Sequence, residues 1–182
     1  MLLPNRYWRT YCRIRHRSDW LALTVVVMVG LFLRFYRLNL VPQGVLYDEA
    51  FNGLDIIQIL GGARPIFLTG NYGREALFPY LQAVSVYLLG FTDWALRVPA
   101  AIVGSLTLAS SYLLTRRLFG QRVAILTCAW LAVSLWHVMY SRIGLRTIMV
   151  PLVCSTAFYF VWRGLDRIQA VTSVQDHSRR SS

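Results

Sequence analysis

The sequence predicts an all-α membrane protein, a multi-span helical bundle with two juxtamembrane helices in its first external loop. Three observations predict it. Of 182 residues, 56% are hydrophobic and only 15% charged, where water-soluble domains carry about a quarter. The apolar residues fall in runs long enough to cross or line a bilayer. The net charge of +11 is supplied entirely by arginine, in short clusters between those runs. Clusters at run ends fit the positive-inside rule and not a nucleic-acid footprint, so no nucleic-acid partner is expected.

Residues 1–19 form a basic flank, with Arg6, Arg9, Arg13, Arg15 and Arg17 against one acid, Asp19. Such a flank belongs on the cytoplasmic side. The first span covers about residues 20–36, and Trp20 is placed as an interfacial aromatic. It ends in Arg34-Phe35-Tyr36-Arg37 without small residues, so it reads as an anchor and not a cleaved signal.

Pro42 and Gly44 then break the chain before a helix over about 48–60. Asp48, Asn52 and Asp55 recur at helical spacing on one face, and Phe51, Leu54, Ile57 and Leu60 take another. A short helix with one apolar face lies in the interface. Gly61-Gly62 stops it, and a polar loop follows over 63–76.

Residues 77–91 are apolar, but about 23 Å of helix falls short of a hydrocarbon core of roughly 30 Å. If this helix crossed, Arg116, Arg117 and Arg122 would fall outside. It therefore reads as a second juxtamembrane helix. Spans over about 98–118, 123–138 and 148–162 follow, with an outer loop from Met139 to Arg146. Together, residues 20–165 form one transmembrane module, and 166–182 read as a disordered polar tail. Cys12, Cys128 and Cys154 have no metal or redox spacing, and the three histidines lack partners at ligand spacing.

This topology gathers Asp48, Glu49, Glu75, Arg74, Arg97, Arg142 and Arg146 on the outer side. Arginines that defy the positive-inside rule need another reason, and a phosphate ligand supplies one. Asp48 and Glu49 suit general-base chemistry on an alcohol. A polyprenyl-phosphate sugar meets both demands, and attack by the acceptor hydroxyl in one displacement would invert the anomeric centre. A retaining course would need a second carboxylate, a place Glu75 could fill. Simpler roles compete. Asp48 fits a helix N-cap, with Glu49 favourable in the first turn. Arg34 and Arg37 fit snorkelling side chains, and Arg142 and Arg146 fit loop solubilisers. His137 fits an interfacial histidine.

The ordered pieces resemble a known family. They are Leu33-Arg34-Phe35-Tyr36-Arg37-Leu38, then Asp48-Glu49-Ala50, then Gly73-Arg74-Glu75-Ala76-Leu77-Phe78-Pro79-Tyr80-Leu81-Gln82-Ala83. Leu96-Arg97-Val98-Pro99-Ala100-Ala101, Arg116-Arg117-Leu118-Phe119-Gly120 and the run from Trp136 to Arg146 complete the series. Over residues 20–165 the chain resembles the N-terminal module of type C membrane glycosyltransferases. Within them it is nearest the bacterial enzymes related to protein O-mannosyltransferases and aminoarabinose transferases. The resemblance implies two juxtamembrane helices in the first external loop, Asp48 as the catalytic carboxylate with Glu49 beside it, Glu75 close to the active site, and Arg97 facing the donor phosphate. It implies a bacterial plasma membrane, a polyprenyl-phosphate sugar donor, and a protein, lipid or glycan acceptor. Some such enzymes use a divalent metal and others none. Relatives normally continue with further spans, so the chain reads as a truncated or split module. A catalytically silent binding or assembly protein is the alternative function.

Overall fold

The computed structural model describes residues 6–180; residues 1–5 of the basic flank and 181–182 of the tail lie outside the described residues. So do the side chains of residues 6–18, Arg167 and 169–180. In chain order the elements are α1 (Arg6–Phe35), α2 (Tyr47–Leu60), β1 (Phe67–Leu68), β2 (Arg74–Glu75), α3 (Leu77–Leu89), α4 (Asp93–Phe119), α5 (Gln121–Val133), α6 (Leu135–Arg142), a 3-10 turn (Arg146–Ile148) and α7 (Met149–Arg180).

Helix α4 is central and touches α1, α3, α5, α6 and α7. It starts at Asp93, earlier than the predicted 98, because Thr92 caps it by accepting from the Ala95 N–H at 3.4 Å. Pro99 then falls inside the helix and leaves the Ala95 carbonyl without its usual donor. Ser85 of α3 fills that gap, donating its hydroxyl to Ala95 O at 2.7 Å. The same stretch of α3 and α4 packs with α2 through Ile56, Ile59, Ala83, Val86, Ala95 and Leu96.

A second core joins α4 to α5 through Leu108, Tyr112, Ala124, Cys128 and Ala132, with Leu23 and Val26 of α1 against it. Small residues allow the close approach, as they do between membrane helices. Gly30 has Leu108 and Ala132 against the place a Cβ would take, and Gly104 has Ser141 there. At the C-terminal end of α4, Arg117 pairs at 2.5 Å with Asp166 in the middle of α7.

Two described helices are long and apolar enough to cross a membrane, α4 and the stretch Arg146–Asp166; α5 with α6 makes a third if that bent pair is one span. The predicted span over 123–138 is thus broken. Helix α5 ends at Val133, and α6 leaves at 57°. No proline or glycine marks the break. Arg34 stabilises it instead, donating to the carbonyls of Leu131 and Ala132 at 3.2 and 3.3 Å. Helix α6 also takes up Met139 to Arg142 of the predicted outer loop.

Helix α2 covers the stretch its pattern predicts. Leu54, Ile57 and Leu60 are exposed, while Asn52 and Asp55 face inward. The predicted polar loop holds a two-stranded antiparallel hairpin, Phe67 opposite Glu75 and Leu68 opposite Arg74. A disordered tail from 166 is corrected too, because α7 continues as helix to Arg180. After Gly164 the sequence has neither glycine nor proline to stop it.

Candidate active site

Asp48 and Glu49 are neighbours in the first turn of α2, and neighbours on a helix point about 100° apart. That angle separates them. Glu49 turns inward and is buried. It accepts from the Leu46 N–H at 3.0 Å, which closes the start of α2. It also accepts from the Gly144 N–H at 2.7 Å and from Arg97 Nε and Nη2 at 3.1 and 3.2 Å. One carboxylate thus ties α2 to α4 and to the segment after α6. Gly144 must be glycine here, since a Cβ would sit 2.8 Å from Gln82 Nε2 and 3.1 Å from Leu96 O.

Arg97 is buried and spends its remaining donors on the carbonyls of Pro42 at 2.8 Å and Gly44 at 2.5 Å. The resemblance has it facing a donor phosphate. Its guanidinium is the counter-ion of Glu49, and all three of its nitrogens are engaged inside the protein. Glu49, expected as the neighbour of Asp48 in the site, is engaged here as a tie between elements.

Arg142 is engaged inside the protein as well. It ends α6 and donates to the carbonyls of Leu33, Tyr36, Arg37 and Val41 at 2.6 to 3.3 Å. Carbonyls at a helix C-terminus have no partner within the helix, and Arg142 supplies one from outside. Arg34, expected to snorkel, is buried instead. Besides its carbonyls it reaches His137 Nδ1 at 2.7 Å. A guanidinium only donates, so Nδ1 accepts and the ring proton sits on Nε2.

Asp48 turns outward from α2 toward a polar cavity of about 280 Å³. Its Oδ1 accepts from Asn71 Nδ2 at 2.7 Å. Asn52, Asn71, Tyr72, Arg74, Leu145, Arg146 and Thr147 complete the lining. Arg74 comes from β2, donates to Asn52 Oδ1 and pairs with Asp55 at 2.5 Å. Burial pushes the Asp55 carboxyl above its usual range, and the Arg74 guanidinium pulls it back. Arg146 comes from the 3-10 turn and pairs with Glu75 at 2.5 Å, both side chains open to solvent.

Of the sequence-predicted site residues, Asp48, Arg74 and Arg146 meet at this cavity, and Glu75 touches it through Arg146. Glu49, Arg97 and Arg142 do not line it. Asn52, Asn71, Tyr72 and Thr147 were not named as site residues. Asn52 was visible four residues after Asp48 on one helix face; Asn71 and Tyr72 were marked only by a turn-prone Gly-Asn-Tyr-Gly run. Among the described residues no group of three or more His, Cys, Asp or Glu side chains could hold a metal ion.

An apolar groove of about 450 Å³ adjoins the cavity, sharing Thr147 and walled by Trp136, Tyr140, Ile148 and Pro151. A carboxylate and two guanidiniums beside an apolar groove form an amphipathic surface suited to a charged head on a hydrocarbon chain.

No curated protein and no solved structure matches this chain. A family model described as dolichyl-phosphate-mannose-protein mannosyltransferase matches residues 76–171, more than half the chain and beginning just after β2. The chain belongs to the dolichyl-phosphate-mannose-protein mannosyltransferase family, membrane glycosyltransferases that draw on polyprenyl-phosphate sugars.

Proposed function

We propose that this chain transfers a sugar from a polyprenyl-phosphate donor to an acceptor hydroxyl at the outer face of a bacterial plasma membrane. Asp48 is the general base, and the anomeric centre inverts. The observation that carries the reading is the cavity. Asp48 is the only acid among its lining residues, and Arg74 and Arg146 line it with Asp48.

The acceptor O–H gives its proton to Asp48. The acceptor oxygen forms a bond to the anomeric carbon as the bond to the phosphate oxygen breaks, and the phosphate leaves with that electron pair. Negative charge grows on the leaving group, which is where a guanidinium is most useful. Arg146 meets this need better than the expected Arg97. Its partner Glu75 is solvent-exposed, and an exposed ion pair is worth about 1 kcal/mol or less, so phosphate can displace it. Arg74 adds fixed positive charge from behind. The acceptor is a hydroxyl of a protein, lipid or glycan.

In this reading α1, α4, α5 with α6, and α7 cross the membrane, with α2 and α3 on the outer face. At 13 residues α3 reaches only about 20 Å, too short to cross. The cavity and the Arg116–Arg122 cluster lie toward opposite ends of α4. Arginine clustered at the second end makes that end cytoplasmic.

The test uses membranes containing the full chain, a polyprenyl-phosphate sugar and acceptor extract. Asp48→Asn should lower transfer by about 10²–10⁴-fold without loss of protein from the membrane. Transfer by Asp48→Asn equal to wild type sinks the assignment. Donor binding without turnover by the wild type would favour a silent binding protein.

A further inference from the structure

The turn between β1 and β2 is built around three consecutive left-handed residues: Asn71 (φ 50°), Tyr72 (φ 66°) and Gly73 (φ 79°). Gly73 is required twice over, by its φ and because a Cβ would meet the Phe67 ring at 2.7 Å. Tyr72 is an unfavourable residue for this conformation, whereas asparagine is among the side chains that best tolerate it. The turn closes by the Gly73 N–H donating to Gly70 O at 3.3 Å. This conformation brings the Asn71 amide across to Asp48, 23 positions earlier in the chain. Asp48 can only accept when ionised, so the group facing it is the amide N–H.

Resting on the reading of Asp48 as general base, we propose that Asn71 is its positioning residue. The amide holds Oδ1, which fixes the rotation of the carboxylate and leaves Oδ2 for the acceptor hydroxyl. The left-handed turn is the device that delivers the amide, and the hairpin carries Arg74 on the same rigid piece. Asn71 acts through Asp48 alone.

Two substitutions separate the amide from the backbone. Asn71→Gly keeps the left-handed φ without strain and removes the amide. Asn71→Asp keeps the residue's shape and backbone tolerance but replaces the donor by a second acceptor facing Asp48. The other charged or titratable groups around the cavity are Arg74 from β2, Arg146 from the 3-10 turn and Tyr72 from the turn itself, with Glu75 joined through Arg146. Both variants leave these in place.

Full-length chain in native membranes is assayed for transfer from a polyprenyl-phosphate sugar, with kcat and donor KM measured beside the thermal midpoint. Asn71→Gly should lower kcat by about tenfold at unchanged donor KM, the size expected for losing a bond to a charged group. Asn71→Asp should lower kcat further at unchanged donor KM, because a second acceptor then faces Asp48. Wild-type kcat in Asn71→Gly overturns the proposal while leaving Asp48 as base. So does a fall in kcat that only follows a fall in thermal midpoint, or one that comes with a matching rise in donor KM. Equal transfer by Asp48→Asn, or no transfer by the wild type, overturns the underlying reading and the proposal with it.

Discussion

Glu49→Gln distinguishes a structural carboxylate from a catalytic one sitting one residue away. In the wild type, Glu49 Oε1 accepts from the Gly144 N–H and Arg97 Nε, and Oε2 accepts from the Leu46 N–H and Arg97 Nη2. A glutamine amide has one oxygen and one NH2. Whichever way it turns, the NH2 faces two donors. Arg97 meanwhile stays buried with its counter-ion gone. Removing one partner of a buried ion pair costs about 3–5 kcal/mol, chiefly because the other charge is left uncompensated. For a chain of this size each kcal/mol moves the thermal midpoint by about 2–4 °C, so the expected fall is roughly 6–20 °C. The assay is thermal unfolding of the purified chain in detergent or nanodiscs, beside Asp48→Asn. Glu49→Gln should unfold early and lose transfer in proportion to lost folded protein. Asp48→Asn should unfold with the wild type and lose transfer anyway. A Glu49→Gln protein as stable as wild type but unable to transfer sugar would refute the reasoning and return Glu49 to the catalytic site.

Gly104→Ala should destabilise by about 1–3 kcal/mol, since the new Cβ meets Ser141 and α4 must part from α6; the thermal midpoint reads this. In a cysteine-free background, Gln121→Cys should resist a membrane-impermeant thiol reagent in intact cells, whereas Tyr72→Cys, fully exposed at the cavity rim, should label readily. Labelling at Gln121 alone would invert the orientation. Arg142→Lys should cost about 1–3 kcal/mol, because a single ammonium nitrogen cannot span the four carbonyls that the forked guanidinium serves, and the same unfolding measurement checks it.

Helix positions were legible because they depend on local pattern. The apolar face of α2, its stop at Gly61, and the shortness of α3 all follow from spacing within a few turns. Asp48 was legible for the same reason. What failed were statements about partners distant in sequence. Glu49 and Asp48 look alike in the chain, and only Arg97, 48 positions on, decides which one is buried. The break after Val133 carries no proline or glycine, because its stabilising contact comes from Arg34, about a hundred residues earlier. The hairpin was hidden for another reason: two-residue strands are too short to show alternation.

The arginines bring these failures to one physical cause. The sequence alone assigns them to a phosphate ligand. Most of them instead meet main-chain carbonyls where helices stop or break. Arg34 serves Gly30, Leu131 and Ala132. Arg142 serves the end of α1, Arg97 the loop at Pro42 and Gly44, and Arg64 the end of α2 at Ile59. A helix end near lipid has little water to satisfy its last carbonyls, and each one left bare is costly. One guanidinium offers five donors on a flat fork and can serve several carbonyls, whereas an ammonium offers three and gives up its hydration less readily. That difference suits arginine to these four positions. It also narrows the search for a phosphate ligand: a candidate must line the cavity and be free of carbonyl duty. Arg74 and Arg146 both meet these conditions; Arg74 is held by the buried side chains of Asn52 and Asp55, whereas Arg146 has only the exposed Glu75.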